Sequence, residues 1–129
     1  MLFAPDPEDL RTAISIEVRD LGTEVTPEDL PDLEKGFLKG LRTVAGSKVE
    51  QHEAFASEFH IGVEAVQTYL DAGERRKRWV RLLYKGSVQA RVIAQAATVD
   101  EFERFRPLFA PCVTTFLFGE IWPGSVTEI

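Results

Sequence analysis

Three strand-like runs follow one another through short turns in the second half of the chain, and this pattern constrains the fold more than any other feature. The first run, with alternating apolar and polar residues, extends from Val63 to Leu70. The second extends from Trp79 to Tyr84 and the third from Val88 to Ala97. The intervening stretches, Asp71-Ala72-Gly73-Glu74 and Lys85-Gly86-Ser87, have the composition of tight turns. The segment therefore predicts a meander of three antiparallel strands.

A helix is predicted directly after this meander. Thr98-Val99-Asp100-Glu101 is a capping box, in which the threonine can accept from a backbone N–H of the first turn and the glutamate can reach back. A stripe of apolar residues at helical spacing follows, namely Phe102, Phe105, Phe109, Val113 and Phe116. Such a stripe is typical of a helix that packs against a core.

Breaks are expected inside this helix. Pro107 is predicted to kink it or divide it in two, and Pro111 is a further break, since proline lacks the N–H that a helix interior requires. Cys112 is predicted to be buried and inert, because an apolar environment raises the pKa of a thiol. Phe116-Leu117-Phe118 predicts a short final strand.

The N-terminal half predicts strands of its own. Leu2-Phe3-Ala4 is typical of the tail of a strand. Ile14, Ile16 and Val18 alternate with Ser15, Glu17 and Arg19, which predicts a strand with one face toward a core. Lys48 to Phe55 predicts a more polar strand.

A helix is predicted between these strands, from an apolar stripe of Leu30, Leu33, Phe37, Leu41 and Val44. Its start has two solutions. Thr26 as the N-cap places Pro31 in the interior, whereas Asp29 as the cap places Pro31 harmlessly in the first turn. Gly36 and Gly40 weaken a helix, so we expect them to mark close packing against a sheet.

The length, the cysteine count and the net charge indicate which classes of protein are compatible with this chain. A chain of 129 residues with 44% hydrophobic residues is expected to form one domain, residues 1–129. Cys112 is the only cysteine, which excludes an intrachain disulfide and fits a reducing cytoplasm. No signal peptide and no apolar run of about 20 residues is present, so neither secretion nor membrane insertion is expected. The net charge of −6 argues against a dedicated nucleic-acid binder.

Charge is distributed unevenly along the chain. Residues 1–34 carry ten acids and two bases, whereas residues 75–91 carry seven bases and no acid. These segments are compatible with solvated or mutually packed faces, and alternatively with a basic surface for an acidic partner or an anionic ligand. The candidate binding residues are Arg76, Arg78, Trp79 and Arg81. Trp79 could serve as a stacking platform, although a packed sheet residue lined by cations is the more common situation.

No pattern in the chain indicates catalysis or a cofactor. His52 and His60 are the only histidines, and neither lies in a metal-ligand spacing or beside a nucleophile, so a half-exposed structural role is expected for His52. We therefore expect no catalytic residue, no metal and no cofactor.

The order of elements resembles the PsbP-like superfamily, which includes an extrinsic photosystem subunit, a Ran-binding nucleotide-release factor and the DcrB-like proteins. The matching stretch is Arg78 to Phe118, with a W-x-R-x-x-Y strand, a turn, a second strand and the T-x-x-E-F-x-x-F helix. The resemblance implies an α+β fold, an αβα sandwich in which two main helices flank an antiparallel sheet. It implies binding of proteins or an accessory role, and no catalytic residues.

Two functional hypotheses follow. The first is a non-catalytic cytoplasmic interaction module or chaperone-like protein, of which a chaperone for type VI secretion effectors is a specific version. The second is a protein that binds a small anion through the basic strand 75–85. An enzyme has no support in the sequence.

The family usually opens with strands that precede Leu2-Phe3-Ala4. A sheet without them would expose an unpaired edge, which another chain can extend. Either the natural reading frame starts upstream of Met1 or two copies pair as a symmetric homodimer, and the dimer is the expected outcome.

Overall fold

A computed structural model describes residues 2–4, 8–9, 11–57 and 60–114 of the protein. The strands in chain order are β1 (Leu2–Phe3), β2 (Ala13–Asp20), β3 (Lys48–Ala56), β4 (Ile61–Asp71), β5 (Glu74–Lys85) and β6 (Val88–Ala96). The helices are a short 3-10 helix (Pro27–Asp29), α1 (Leu30–Arg42) and α2 (Val99–Thr114). The predicted final strand at Phe116-Leu117-Phe118 lies outside the described residues.

The strands form one antiparallel sheet with the order β1-β2-β6-β5-β4-β3. The α1 helix packs on one side of it, and α2 packs on the other. This arrangement confirms the α+β sandwich and the C-terminal meander. The strand predicted at Leu2-Phe3-Ala4 is also confirmed, because Leu2 and Phe3 pair with Ser15 and Ile14.

Both meander turns contain residues with positive φ. Ala72 and Gly73 connect β4 to β5 with φ angles of 52° and 82°, and Gly86 connects β5 to β6 at 60°. Positive φ at both Ala72 and Gly73 is the geometry of the type I′ turn, whose twist matches that of the strands it joins, whereas the β5–β6 turn has positive φ at Gly86 but not at Ser87.

The sheet has two chemically different sides, which we call the α1 face and the α2 face. Small residues of β6, namely Ala90, Val92, Ala94 and Ala96, are fully buried on the α2 face, where they allow α2 to lie close to the sheet. Phe102, Phe109 and Val113 project from α2 into this core and have no exposed surface, and Phe105 packs beside them, so the predicted stripe is confirmed at these four positions. Phe116, its last member, lies outside the described residues.

The α2 helix begins as predicted but does not break. The backbone N–H of Glu101 donates to Oγ1 of Thr98 at 3.1 Å, which is one half of the capping box. The prediction that Pro107 divides the helix is wrong, because α2 continues through Pro107 and Pro111 to Thr114. Both prolines are exposed, so water can reach the carbonyls that lose a partner, while the buried phenylalanines hold the helix on the sheet.

Both residues predicted as alternative N-caps of α1 act as caps, Thr26 for the short 3-10 helix and Asp29 for α1 itself. Thr26 begins the 3-10 helix, with its N–H donating to Oδ2 of Asp29 at 2.9 Å, and Asp29 is the N-cap residue of α1. Pro31 consequently lies in the first turn. The predicted stripe is correct at Leu41, which is buried, and at Phe37, which is partly buried against the same cluster. It omits Leu38, which is buried against Ala65 and Val80.

Two burial predictions are wrong. Gly36 and Gly40 are exposed, and a Cβ atom added at either one would meet no atom within 4 Å, so neither glycine allows a close approach to the sheet. Cys112 is exposed, because it follows Pro111 on the outer side of α2, away from Phe109 and Val113.

Candidate functional site

The basic strand β5 does not form a single surface. Successive side chains of a strand point to opposite faces, so Arg76 and Arg78 lie on the α1 face, whereas Lys77, Trp79 and Arg81 lie on the α2 face. The predicted binding residues Arg76, Arg78, Trp79 and Arg81 are therefore divided between two sides of the sheet.

Arg76 belongs to a buried network. Only 8% of the residue is exposed. Its guanidinium donates to the carbonyl of Ala96 at 3.0 Å, to the carbonyl of Arg11 at 2.7 Å and to Oδ2 of Asp71 at 2.7 Å. These bonds tie the chain before β2 to the end of β6, so Arg76 is a buried structural residue and does not lie on an exposed binding surface.

Lys77 is a second structural cation. Its Nζ atom lies 2.5 Å from Oε1 of Glu50 and 2.6 Å from Oε1 of Glu103. Burial lowers the pKa of Lys77, but the hydrogen bonds to Glu103 and Glu50 outweigh it, so the pKa lies above its ordinary value. The basic run is thus neutralised in part by carboxylates from elsewhere in the chain.

Trp79 borders a shallow pocket of about 200 Å³ on the α2 face, whose lining also includes Gln51, Glu53, Glu64 and Val66. The indole N–H of Trp79 donates to Oε2 of Glu64 at 3.1 Å. Arg81 lies over the ring of Phe55 at 4.6 Å and 3.6 Å from the same carboxylate oxygen. Trp79 is partly buried and packs against the core, as the more common alternative for it predicts.

The larger concavity lies on the α1 face, beside α1, and we call it the α1 groove. It has a volume of about 320 Å³. Its polar lining consists of Arg19, Arg78, Gln89 and Arg91, and its apolar lining consists of Phe37, Leu41, Val80, Leu82 and Ile93. Gly36 and Gly40 of α1 form the edge of the groove on the helix side.

The groove exists because α1 covers only part of its face. Its main contacts are with β3 and β4, and Val80 of β5 and Ile93 of β6 pack against its inner side. Among the described residues, α1 makes few contacts with the rest of β6 and with β2, so this part of the face is less covered. Gly36 and Gly40 add no side chains on this side of the helix, so the gap stays open.

Arg78 is the central cation of the groove. Its Nε atom donates to Oε1 of Gln67 at 2.9 Å, and its guanidinium lies 4.7 Å from the centre of the Tyr69 ring. Burial lowers its pKa, and the neighbouring positive charges of Arg76 and Arg91 lower it further, with Tyr69 acting in the opposite direction. The group stays charged, since arginine cannot be deprotonated at neutral pH.

Gln67 positions Arg78. It is fully buried, and its amide nitrogen donates to the carbonyl of Leu41 at 2.6 Å and to Oγ of Ser47 at 2.8 Å. This amide therefore links the end of α1, the following turn and Arg78. With Nε engaged, the two terminal nitrogens of Arg78 have no carboxylate within ion-pair distance among the described residues.

The other two arginines of the groove differ in their partners. Arg91 pairs with Oε2 of Glu17 at 2.5 Å. Arg19 donates to Oε1 of Gln89 at 2.8 Å, and the amide of Gln89 donates in turn to the hydroxyl of Tyr84 at 2.9 Å. The groove consequently carries more positive than negative charge beside an apolar wall.

Sequence reasoning placed Arg78 in a site but missed its companions. Arg19, Gln89 and Arg91 come from β2 and β6, and only the pairing of these strands brings them beside Arg78. The two helical glycines were the available signal, because residues four apart lie on one side of a helix.

No candidate metal centre is found in the part of the chain that is described. Those residues contain no cluster of three or more histidine, cysteine or acidic side chains that could hold a metal ion. His52 lies 3.5 Å from Glu34 and is 46% exposed, as the sequence predicted. None of the helices described is long and apolar enough to cross a membrane.

Comparison with solved structures identifies the fold. The chain is similar to PA94, a Pseudomonas aeruginosa protein of unknown function and candidate regulator, with 14% identity, a TM-score of 0.68 and coverage of 91% of this chain and 81% of that one. It is also similar to cyanobacterial PsbP (CyanoP) from Synechocystis sp. PCC 6803, with 12% identity, a TM-score of 0.63 and coverage of 85% and 69% respectively. No protein-family model and no curated protein matches the chain.

Proposed function

We propose that this chain, which has the PsbP-like fold, is a non-catalytic protein-interaction module of an accessory or chaperone-like kind. The α1 groove and the adjoining open part of the sheet form its binding surface. The observation that supports this most directly is that the described residues cover the α1 face incompletely, so that apolar Leu82 and Ile93 lie only half-buried between arginines. A surface of this composition suits a polypeptide with apolar and acidic side chains.

The cytoplasm is the proposed location. Cys112 is the only cysteine, so the fold is stabilised without any intrachain disulfide and is compatible with a reducing compartment. The function needs no cofactor, because the surface acts by shape and charge.

Site-specific photo-crosslinking tests the proposal. A photoreactive amino acid replaces Ile93 at the groove or Leu108 on the opposite side, where Leu108 is 43% exposed, and the protein is expressed in its source cells. Crosslinks to one defined protein from position 93 and not from position 108 are expected. Equal crosslinking from both positions, or none from position 93, would contradict a partner-binding role for this face.

A second candidate is a protein that binds a small anion, and the observation in its favour is Arg78, which lacks a carboxylate partner among the described residues. Isothermal titration with inorganic phosphate and with citrate tests it. Saturable binding below about 1 mM that Arg78→Met abolishes would support this candidate, since ordinary surface cations bind such ions far more weakly.

Self-association is proposed as well. In the described part of the sheet, β3 is an edge strand and pairs only with β4, so its outer side can accept a strand from a second copy. Light scattering after size exclusion is expected to show a homodimer, and a monomer at all concentrations would contradict this.

A further inference from the structure

We infer that the ligand of the α1 groove is an acidic-apolar segment of a partner protein, in which a carboxylate binds Arg78 and a neighbouring apolar side chain lies on Leu82 and Ile93. This inference rests on the proposed function and names the chemistry of the partner.

Arg78 is a half-buried charge with no carboxylate partner among the described residues, so an anionic ligand can pair with it. A guanidinium that is removed from water loses its hydration. A carboxylate compensates for this loss best, because its two oxygens accept from two parallel N–H donors of the guanidinium. Gln67 accepts a hydrogen bond only from Nε of Arg78, so the two terminal nitrogens of Arg78 can donate to a ligand. The two other arginines in the lining, Arg19 and Arg91, add to the positive potential around this position.

The apolar wall distinguishes a peptide from a simple ion. Leu82 lies on β5 and Ile93 on β6, on the same face as Arg78, and Phe37 reaches the groove from α1. A phosphate or sulfate ion would leave this wall exposed to water. A leucine or phenylalanine next to an aspartate in an extended peptide would cover the wall while its neighbour reaches the guanidinium.

The rim of α1 gives this peptide room. A Cβ atom at Gly40 would meet nothing within 4 Å, and the helix lies beside the groove at this point. A leucine at this position would therefore project into free space without disturbing the core, and it would occupy the volume that the peptide needs. Its backbone is helical, so the substitution favours the helix.

The experiment uses fluorescence anisotropy with a labelled peptide, Gly-Asp-Leu-Asp-Phe-Asp-Gly, and a second peptide in which asparagine replaces every aspartate. Four proteins are compared: wild type, Arg78→Met, Gly40→Leu and Arg104→Met. Arg104 is exposed on α2, on the opposite side of the sheet, so its replacement removes the same charge away from the groove. Circular dichroism and thermal melting show that each variant is folded.

The aspartate peptide is expected to bind wild type at least about tenfold more tightly than the asparagine peptide, since a desolvated charge pair contributes more than 1.4 kcal/mol. Arg78→Met and Gly40→Leu are each expected to weaken binding by about tenfold or more. Arg104→Met is expected to change it less than about twofold, because a distant exposed charge is screened by salt.

Three outcomes would overturn the inference. Equal losses for Arg78→Met and Arg104→Met would show attraction to net charge alone. Binding of phosphate through Arg78 without binding of the peptide would identify a small-anion site. Absence of peptide binding, together with a partner crosslinked at position 93, would reject the acidic-apolar chemistry and leave the interaction function intact.

Discussion

The ammonium group of Lys77, in the middle of the sheet, donates a 2.6 Å hydrogen bond to Glu103 of the C-terminal helix. The same group lies 2.5 Å from Glu50, on the edge strand β3. One buried side chain therefore connects the helix on the α2 face to the bulged part of the edge strand, where the register shifts between Val49 and Gln51.

Removal of both carboxylates is expected to destabilise the protein. In the double variant Glu50→Gln and Glu103→Gln, Lys77 keeps its charge at a site where its side chain is only 7% exposed. We expect the free energy of unfolding to fall by about 2 kcal/mol, less than for a fully buried pair, because both carboxylates are partly exposed. Urea unfolding measures it. Glu53→Gln, an exposed change on the same strand, is the control, and an equal loss for that control would contradict a specific network.

The stabilisation by the Lys77–Glu103 pair is expected to decrease at low pH. The hydrogen bond from Lys77 lowers the pKa of Glu103 below its ordinary value of 4.5. The stabilisation is consequently complete above that value and is lost as the pH falls through the lower pKa of the folded state.

Replacement of Arg76 is expected to cost more stability than replacement of an exposed arginine. Arg76→Met removes three hydrogen bonds and leaves the carbonyls of Arg11 and Ala96 without this donor. A loss of about 2–3 kcal/mol in the free energy of unfolding is expected. Arg91→Met, which removes an exposed ion pair with Glu17, is the matched control and should cost less than about 1 kcal/mol. Similar losses for the two variants would show that Arg76 has no special structural role.

The turn between β4 and β5 offers a stabilising change. Ala72 adopts φ of 52°, a conformation that costs an alanine about 1 kcal/mol. Ala72→Asn creates the asparagine-glycine pair that type I′ turns favour, and we expect the free energy of unfolding to rise by about 0.5–1 kcal/mol. Gly73→Ala should have the opposite effect, because φ there is 82°. Thermal melting compares the two, and a lower melting temperature for Ala72→Asn would contradict the argument.

His60 is expected to make stability depend on pH near neutrality. Burial lowers its pKa below the ordinary value of 6.5, and the positive charges of Arg81 and Lys85 lower it further. Between the folded and unfolded pKa values the unfolded chain binds more protons, so stability decreases as the pH falls below about 6.5. His60→Gln should remove this part of the dependence. Urea unfolding at several pH values between 8 and about 5 measures it, and parallel curves for the two proteins would refute the assignment.

Cys112 is expected to react with thiol reagents in the native state. The residue is exposed on α2, and no second cysteine is present to form an intrachain disulfide. Ellman's reagent should modify one thiol per chain without denaturant, because access to the thiolate controls the rate. Cys112→Ser gives the background. Reaction only after unfolding would show that the thiol is buried in solution.

Local patterns in the sequence predicted the strands of the meander and the start of α2, although not the continuity of α2 through its prolines. Alternation from Val63 to Leu70 predicted β4, the turn residues around Gly73 and Gly86 predicted the meander, and Thr98 predicted the start of α2. Each of these signals depends on residues within a few positions of one another, where backbone preferences and side-chain periodicity act directly.

Burial and partners were decided only by the tertiary structure. Alternation already implied that Arg76 and Arg78 share a side of β5, yet only long-range packing determined that Arg76 meets the carbonyl of Arg11 while Arg78 faces an open groove. The same holds for Gly40, whose exposure depends on how far α1 extends over the sheet. The sequence by itself determined which side chains lie on which face, because that is a property of one strand. What covers each face depends on contacts between residues that are distant along the chain, so it was settled only by the assembled fold.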